Sequence, residues 1–78
     1  MEKPILYYWA SCSTCSVTTR FADEHSIELD KRDVEQEGPY QELLALGGDA
    51  DLIPYLYADG KLINGNDDIV AYLTAAYL

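Results

Sequence analysis

The segment YWASCSTCSVTTR, from Tyr8 to Arg20, carries both cysteines of the chain, Cys12 and Cys15, with two residues between them. At its start, the short apolar run from Ile5 to Trp9 is typical of a strand buried on both faces of a sheet. After Cys12 the spacing of apolar residues becomes helical and no glycine or proline interrupts it, which predicts a helix over residues 13–25. A strand therefore leads into Cys12 and a helix leads away from it.

The predicted helix is amphipathic, because Val17 and Phe21 stand four residues apart and share one face. Ser13 and Thr14 can cap its start. His25, among acidic residues at the other end, is expected to be a solvated residue that complements the helix dipole, with no catalytic role.

Patterns of the same kind predict five further elements along the chain. They are a strand with one wet face at Ile27–Lys31, a helix opened by Gly38-Pro39 and ended by Gly47-Gly48, a strand at Asp51–Tyr57, a returning strand at Lys61–Ile63 and a helix at Asp67–Leu78. Asp59-Gly60 is a strong hairpin signal between the last two strands, and Asn66 or Asp67 can cap the last helix. The order of elements is then β-α-β-α-β-β-α, a fold of the α/β class.

The length and composition predict one small globular domain, residues 1–78. A chain of 78 residues cannot divide its core in two, and its 49% hydrophobic and 24% charged residues are in globular balance. No apolar stretch approaches the ~20 residues that a membrane-spanning helix needs, and the N-terminus lacks the pattern of a signal peptide. We therefore expect a cytoplasmic protein with no membrane partner.

The charge of the chain is strongly negative. Five Lys or Arg against fourteen Asp or Glu give a formal net charge of −9. Long-range attraction to phosphate backbones is therefore absent, and we expect no nucleic-acid partner. The acidic residues can increase solubility, or they can bind a basic docking partner.

Three roles are open for the cysteine pair: a structural staple, a metal site or a working thiol pair. A disulfide across two residues closes too short a loop to constrain the unfolded chain much. A zinc site needs four ligands, and beyond the cysteines the chain offers only His25, about 15 Å from Cys15 along the same helix. A zinc site within one chain therefore cannot be completed, although ligation shared between chains stays open.

The position of the cysteines favours a working pair. Cys12 stands where the first amides of a helix and the positive end of its dipole favour a thiolate, the reactive form of the thiol. Cys15 follows within the first turn, near enough to close a disulfide, so that one thiol can attack and the other can resolve. In the reducing cytoplasm a C-x-x-C pair is more often catalytic or metal-binding than structural.

Three motifs in this order give the chain a family resemblance. Cys12-Ser13-Thr14-Cys15 follows the first strand, Ile53-Pro54 precedes the third, and Gly65-Asn66-Asp67-Asp68 precedes the last helix. Over nearly its whole length the chain resembles a glutaredoxin, of the thioredoxin-fold superfamily. The resemblance implies a central four-stranded mixed sheet flanked by three helices, and a thiol–disulfide oxidoreductase that acts in cell redox homeostasis.

The resemblance also implies the catalytic residues, which are Cys12 and Cys15. It implies that the peptide bond before Pro54 is cis and that Pro54 faces the cysteine pair. The backbone N–H and C=O of Ile53 would then be open to an extended cysteinyl peptide.

In glutaredoxins this peptide is glutathione, which also serves as the reductant. Its γ-glutamyl end lies at the turn and helix start that match Gly65 to Asp68. Asn66 and Asp67 would supply N–H groups to its carboxylate, and Asp67 or Asp68 would supply an acid to its amino group. Plain helix capping is the alternative role for the two aspartates.

The chain departs from the family pattern beside the cysteines. Ser13-Thr14 replaces the usual Pro-Tyr between them, and Trp9 stands where a basic residue often precedes the motif. Without that basic residue, and with a net charge of −9, the chain is expected to hold anionic glutathione less well, unless Arg20 or Lys61 lies at the groove.

Three functions follow as hypotheses. The first is a monomeric, glutathione-dependent oxidoreductase that reduces protein or glutathione mixed disulfides. The second is an iron–sulfur carrier, because serine after Cys12 resembles those glutaredoxins that hold a [2Fe–2S] cluster between two subunits, each giving its first cysteine and a glutathione thiol. The third is a thioredoxin-like electron donor that is reduced by a flavoprotein reductase and does not use glutathione.

Overall fold

The computed structural model describes residues 3–9 and 15–78. Its elements follow the predicted order, with one added 3-10 turn. They are β1 at Ile5–Tyr8, α1 at Ser16–Glu24, β2 at Asp30–Asp33, α2 at Glu37–Ala45, the 3-10 turn at Ala50–Leu52, β3 at Tyr55–Ala58, β4 at Lys61–Asn64 and α3 at Asn66–Tyr77. Within the described ranges, no helix combines the length and apolar character that crossing a bilayer requires.

The four strands form one mixed sheet in the order β2-β1-β3-β4. β1 runs parallel to β2 and antiparallel to β3, with Tyr7 opposite Tyr55. β3 runs antiparallel to β4, with Tyr55 opposite Asn64. The end of β1, the start of β3 and the end of β4 therefore lie together at one end of the sheet.

Alternating side chains divide the core between the two faces of this sheet. Leu6 and Leu56 pack on one face with residues of α1 and α3, among them Ala22, Ile69 and Leu73. Tyr7 and Tyr55 pack on the other face with Val34 and with Leu43 of α2. The predicted four-stranded mixed sheet flanked by three helices is confirmed.

The predicted turn signals are also confirmed. Asp59 and Gly60 both have positive φ, 53° and 74°, as a two-residue hairpin turn of type I′ requires. The amides of Gly47 and Gly48 donate to the carbonyls of Leu44 and Leu43, which ends α2 where the sequence predicts.

The second strand begins later than predicted, at Asp30 rather than Ile27. The reason lies in how α1 ends. Ser26 has a φ of 55°, and the amides of Ser26 and Ile27 donate to the carbonyls of Asp23 and Ala22. This is a Schellman motif, in which Ile27 packs back on the helix instead of entering the sheet.

The third strand is also shorter than predicted, because the chain turns before Pro54. The side chain of Asp49 accepts a hydrogen bond from the amide of Asp51 at 2.9 Å, which caps the 3-10 turn. β3 consequently begins at Tyr55 instead of Asp51.

The buried face of α1 is not centred on Val17. Thr18 and Ala22 are fully buried, whereas 53% of Val17 is exposed. Phe21 is half-buried and packs at the border of the core. A small-residue face therefore lets α1 approach α3 closely, and Val17 is left in solvent near the start of the helix.

A polar network joins the sheet to α2. The hydroxyl of the buried Tyr7 donates to Glu42 at 3.2 Å, and Arg32 donates to Glu42 and to Asp30. Burial raises the pKa of Tyr7 above its ordinary value, and the charge of Glu42 raises it further. Tyr7 is thus a core residue, as its place in the first strand predicts.

Candidate functional site

Two of the segments that the sequence assigns to the site, those around Pro54 and Gly65, lie together at one end of the sheet. β3 begins there at Tyr55 and β4 ends there at Asn64, next to the end of β1. Cys12, the predicted attacking cysteine, lies outside the described residues together with the predicted caps Ser13 and Thr14.

Cys15 immediately precedes α1 and has right-handed helical backbone angles, φ −66° and ψ −22°. Its carbonyl accepts a hydrogen bond from the amide of Thr19. Only 1% of the residue is exposed. A cysteine so deeply buried is not accessible to a bulky disulfide in solution.

The Ile53–Pro54 peptide bond is cis, as the resemblance implies. Pro54 is buried, and its carbonyl accepts the amide of Gly65 at 3.0 Å and the side-chain amide of Asn64 at 3.4 Å. The same Asn64 nitrogen donates to the carbonyl of Leu52. The carbonyls of Leu52 and Pro54, the residues on either side of Ile53, are therefore held by Asn64 of β4 and by Gly65 in the turn that follows it.

Ile53 itself keeps its backbone polar groups open. Within the part of the chain that the structure describes, neither its N–H nor its C=O makes a hydrogen bond, since the β1–β3 ladder begins at Tyr55. An extended peptide could pair with these two groups as an added strand.

Gly65 forms the entry to α3. It has a φ of 91° and a ψ of 147°, and its carbonyl accepts the amide of Ile69 at 3.0 Å. No side chain caps the helix, so the prediction that Asn66 or Asp67 is the cap is wrong. Asn66 is instead the first helical residue, and its side chain is turned toward α1.

The first turn of α3 carries two carboxylates, Asp67 and Asp68, and we call it the anionic rim. Both residues are exposed, at the positive end of the helix dipole. With Asn64, Gly65 and Asn66 they line a depression of about 390 Å³. Four of the six residues predicted to bind glutathione, Gly65 to Asp68, therefore line one depression, and the amide of Gly65 joins it to the carbonyl of Pro54.

Thr18 connects α1 to this rim. Its hydroxyl donates to Oδ1 of Asn66 at 2.6 Å, across 48 residues of sequence. Sequence analysis missed both Thr18 and Asn64 as residues that shape the site. Thr18 had a usable signal, because it stands three residues after Cys15 and therefore on the same helical face.

None of the described cations lies at the rim. Lys3 pairs with Glu28, Lys31 with Asp23, and Arg32 with Asp30 and Glu42. Arg20, two residues from Thr18, points about 200° around α1 from the side that faces Asn66. Lys61 lies at the opposite end of β4 from Asn64. Neither Arg20 nor Lys61 therefore compensates the rim.

His25 is exposed at the end of α1, and its ring lies 4.5 Å from the ring of Phe21. This agrees with the prediction of a solvated helix-end residue. In residues 3–9 and 15–78, no three His, Cys, Asp or Glu side chains are grouped so that they could hold a metal ion.

Comparison with known proteins identifies the architecture. The chain matches no protein-family sequence model and no curated protein. Among solved structures, it matches the solution structure of a glutaredoxin from Brucella melitensis with a TM-score of 0.68 and 18% identity, over 97% of this chain and 83% of that one. The chain has a glutaredoxin-like thioredoxin fold.

Two further structures share this glutaredoxin-like fold. A glutaredoxin from Archaeoglobus fulgidus matches with a TM-score of 0.65 and 15% identity, over 83% of this chain and 76% of that one. A glutathione S-transferase from the Antarctic clam Laternula elliptica matches with a TM-score of 0.70 and 20% identity, over 97% of this chain but only 36% of the transferase. At these identities the comparisons establish the fold and not the activity.

Proposed function

We propose that this protein is a glutathione-dependent thiol–disulfide oxidoreductase in which Cys12 is the attacking thiolate. The observation that carries the proposal is the open backbone of Ile53 beside the concave start of α3, on a fold shared with glutaredoxins. A tripeptide with a cysteine in the middle and a carboxylate at each end matches these two features together.

Glutathione would bind in an extended conformation. Its cysteinyl N–H and C=O would pair with the C=O and N–H of Ile53, as in β-strand addition. The α-carboxylate of its γ-glutamyl residue would lie on the backbone amides of Asn66 and Asp67, where the helix dipole favours an anion. Its amino group would lie near Asp67 or Asp68.

The reaction proceeds by two thiol–disulfide exchanges. The Cys12 thiolate attacks the glutathione sulfur of a mixed disulfide R–S–S–G, which forms Cys12–S–S–G and releases R–S⁻, which takes up a proton from water. The thiolate of a second glutathione then attacks that glutathione sulfur, forms oxidised glutathione and restores the Cys12 thiolate. In sum, one mixed disulfide and one glutathione give one thiol and one oxidised glutathione.

Cys15 acts only when glutathione is slow to arrive. Its thiolate can displace glutathione from Cys12–S–S–G and close the Cys12–Cys15 disulfide, which two further glutathione molecules reduce. The burial of Cys15 is consistent with a resolving thiol, which meets its partner within the chain rather than in solution.

The test is a coupled assay with a cysteinyl peptide that carries glutathione in a mixed disulfide. With glutathione, glutathione reductase and NADPH, we expect catalysed NADPH consumption that depends on glutathione concentration. A parallel assay supplies a flavoprotein thioredoxin reductase and no glutathione. Turnover in the second assay alone would overturn the proposal in favour of a thioredoxin-like donor.

Because no described cation lies beside the anionic rim, we expect KM for an anionic substrate to depend on salt concentration. A protein of net charge −9 repels an anionic substrate, and this repulsion is screened as the Debye length falls from ~30 Å at 0.01 M to ~8 Å at 0.15 M salt. Over this range, KM for a glutathione mixed disulfide on a peptide with three glutamates should fall by about two- to fivefold.

The matched control is the same peptide with three lysines, for which KM should rise over the same range. Both assays use one protein and one leaving thiol, so that only the sign of the substrate charge differs. If both KM values change in the same direction with salt, the charge of the protein does not affect substrate binding at the site.

A further inference from the structure

We infer that Thr18 is a positioning residue for glutathione, because its hydroxyl fixes the start of α3 through Asn66. The inference rests on the proposed function and adds to it a residue that lies outside the binding surface itself. Thr18 is 0% exposed and so cannot touch a ligand directly.

The start of α3 lacks the usual local restraint. Its entry residue is Gly65, which has no side chain, and no side-chain cap is formed. Between the described parts of the chain, two hydrogen bonds from elsewhere in the fold hold it. They are the hydrogen bond from the Gly65 amide to the Pro54 carbonyl at 3.0 Å and that from Thr18 to Asn66 at 2.6 Å.

The Thr18 contact can set the orientation of the first helical turn. The hydroxyl has a single proton, and donating it to Oδ1 of Asn66 fixes the side-chain rotamer of that residue and with it the backbone from which its amide projects. That amide is one of the two proposed to receive the glutathione carboxylate.

The same contact ties the ligand site to the cysteine segment. Thr18 and Cys15 are three residues apart at the start of α1, on one helical face. The hydrogen bond thus keeps a fixed relation between the helix that follows the cysteines and the helix that receives the γ-glutamyl group. Its loss should weaken glutathione binding without changing the reactivity of the Cys12 thiolate.

The central experiment compares Thr18→Val, which keeps the shape but loses the donor, with Thr18→Ser, which keeps the hydroxyl. We measure KM and kcat for the glutathione mixed disulfide, and the rate at which iodoacetamide alkylates Cys12. Thr18→Val should raise KM about five- to tenfold, while kcat and the alkylation rate stay within about twofold. Thr18→Ser should restore KM to within about twofold.

Thr74→Val is the matched control for the loss of a threonine hydroxyl. Thr74 donates to the carbonyl of Val70 at 2.8 Å, near the other end of α3, and its replacement should leave KM unchanged. An equal KM for Thr18→Val and Thr74→Val would overturn the inference. So would a rise in KM that is accompanied by an equally large fall in the alkylation rate, because Thr18 would then act on the thiol or on the fold as a whole.

A second variant covers the case in which Thr18→Val does not fold. Asn66→Ala removes the acceptor at a half-buried position and keeps the backbone amide. It should raise KM by a similar factor, and where both variants fold, combining them should add nothing further. An unchanged KM in Asn66→Ala, or additive effects in the pair, would contradict the inference.

The outcomes also separate this inference from the proposed function. If the unaltered protein shows no glutathione-dependent turnover, the proposed function fails. If it turns over the glutathione substrate and Thr18→Val does so with the same KM, only the role of Thr18 fails.

Discussion

Replacement of Cys12 with serine is expected to lower the turnover of a glutathione mixed disulfide by about 10³-fold or more, to the uncatalysed rate. A serine hydroxyl is not ionised near neutral pH and cannot form the covalent intermediate on which both exchange steps depend. The measurement is the coupled assay with glutathione and glutathione reductase, at a fixed concentration of folded protein.

Replacement of Cys15 is the control, and it should spare most of this activity. Two variants are needed, because Cys15 is buried and a serine hydroxyl in its place can cost about 1–3 kcal/mol of stability. Cys15→Ala avoids that cost, at the expense of a small loss of packing. Equal loss of activity from Cys12→Ser and Cys15→Ala would show that turnover requires the intramolecular disulfide. Full activity in Cys12→Ser would remove the proposed nucleophile.

The parts of the fold that sequence predicts well are those that local chemistry decides. The apolar run from Ile5 to Trp9 needs only its own composition to indicate a buried strand. Asp59-Gly60 forms the predicted hairpin because both residues tolerate the positive φ that its turn requires. The seven-element order follows from such signals, and with it the four-stranded sheet.

The errors occur where the spacing of apolar residues does not decide the structure. Ser26 adopts a positive φ, which is uncommon for serine and is not predicted by its residue type. As a result Ile27 packs on α1 and does not join the predicted strand. Val17 has the apolar spacing of a core residue, yet α1 packs through Thr18 and Ala22, whose small side chains suit a close approach to α3.

In the site, too, the local sequence specifies some features and not others. The motifs locate Pro54, Gly65 and the start of α3 in the sequence, but no local pattern connects them. The hydrogen bonds that do so join Gly65 to Pro54 and Thr18 to Asn66, in the second case across 48 residues. A pairing at that separation depends on how the helices pack on the sheet, which the sequence of either segment does not specify.

Gly65→Val is expected to impair both stability and glutathione binding. Gly65 has a φ of 91° and a ψ of 147°, a region that only glycine occupies readily. An added Cβ would meet no atom within 4 Å, so the cost is one of backbone conformation and not of crowding. A β-branched residue there should lower the free energy of unfolding by about 1–3 kcal/mol, which urea denaturation can measure.

The effect on binding follows from how the strain is relieved. If residue 65 returns to a negative φ, its amide turns away from the Pro54 carbonyl and its own carbonyl no longer accepts the amide of Ile69. Both of these backbone hydrogen bonds of Gly65 are then lost, and KM for the glutathione mixed disulfide should rise by more than about tenfold, equivalent to ~1.4 kcal/mol.

Gly60→Val separates the two effects. Gly60 also has a positive φ, 74°, and open space where a Cβ would stand, but it lies in the hairpin at the opposite end of β4. It should lose a comparable amount of stability while KM stays within about twofold of the unaltered protein. A rise in KM of equal size in both variants would mean that destabilisation alone weakens binding. An unchanged KM in Gly65→Val would mean that glutathione does not depend on the start of α3, and the proposed binding site would have to be abandoned.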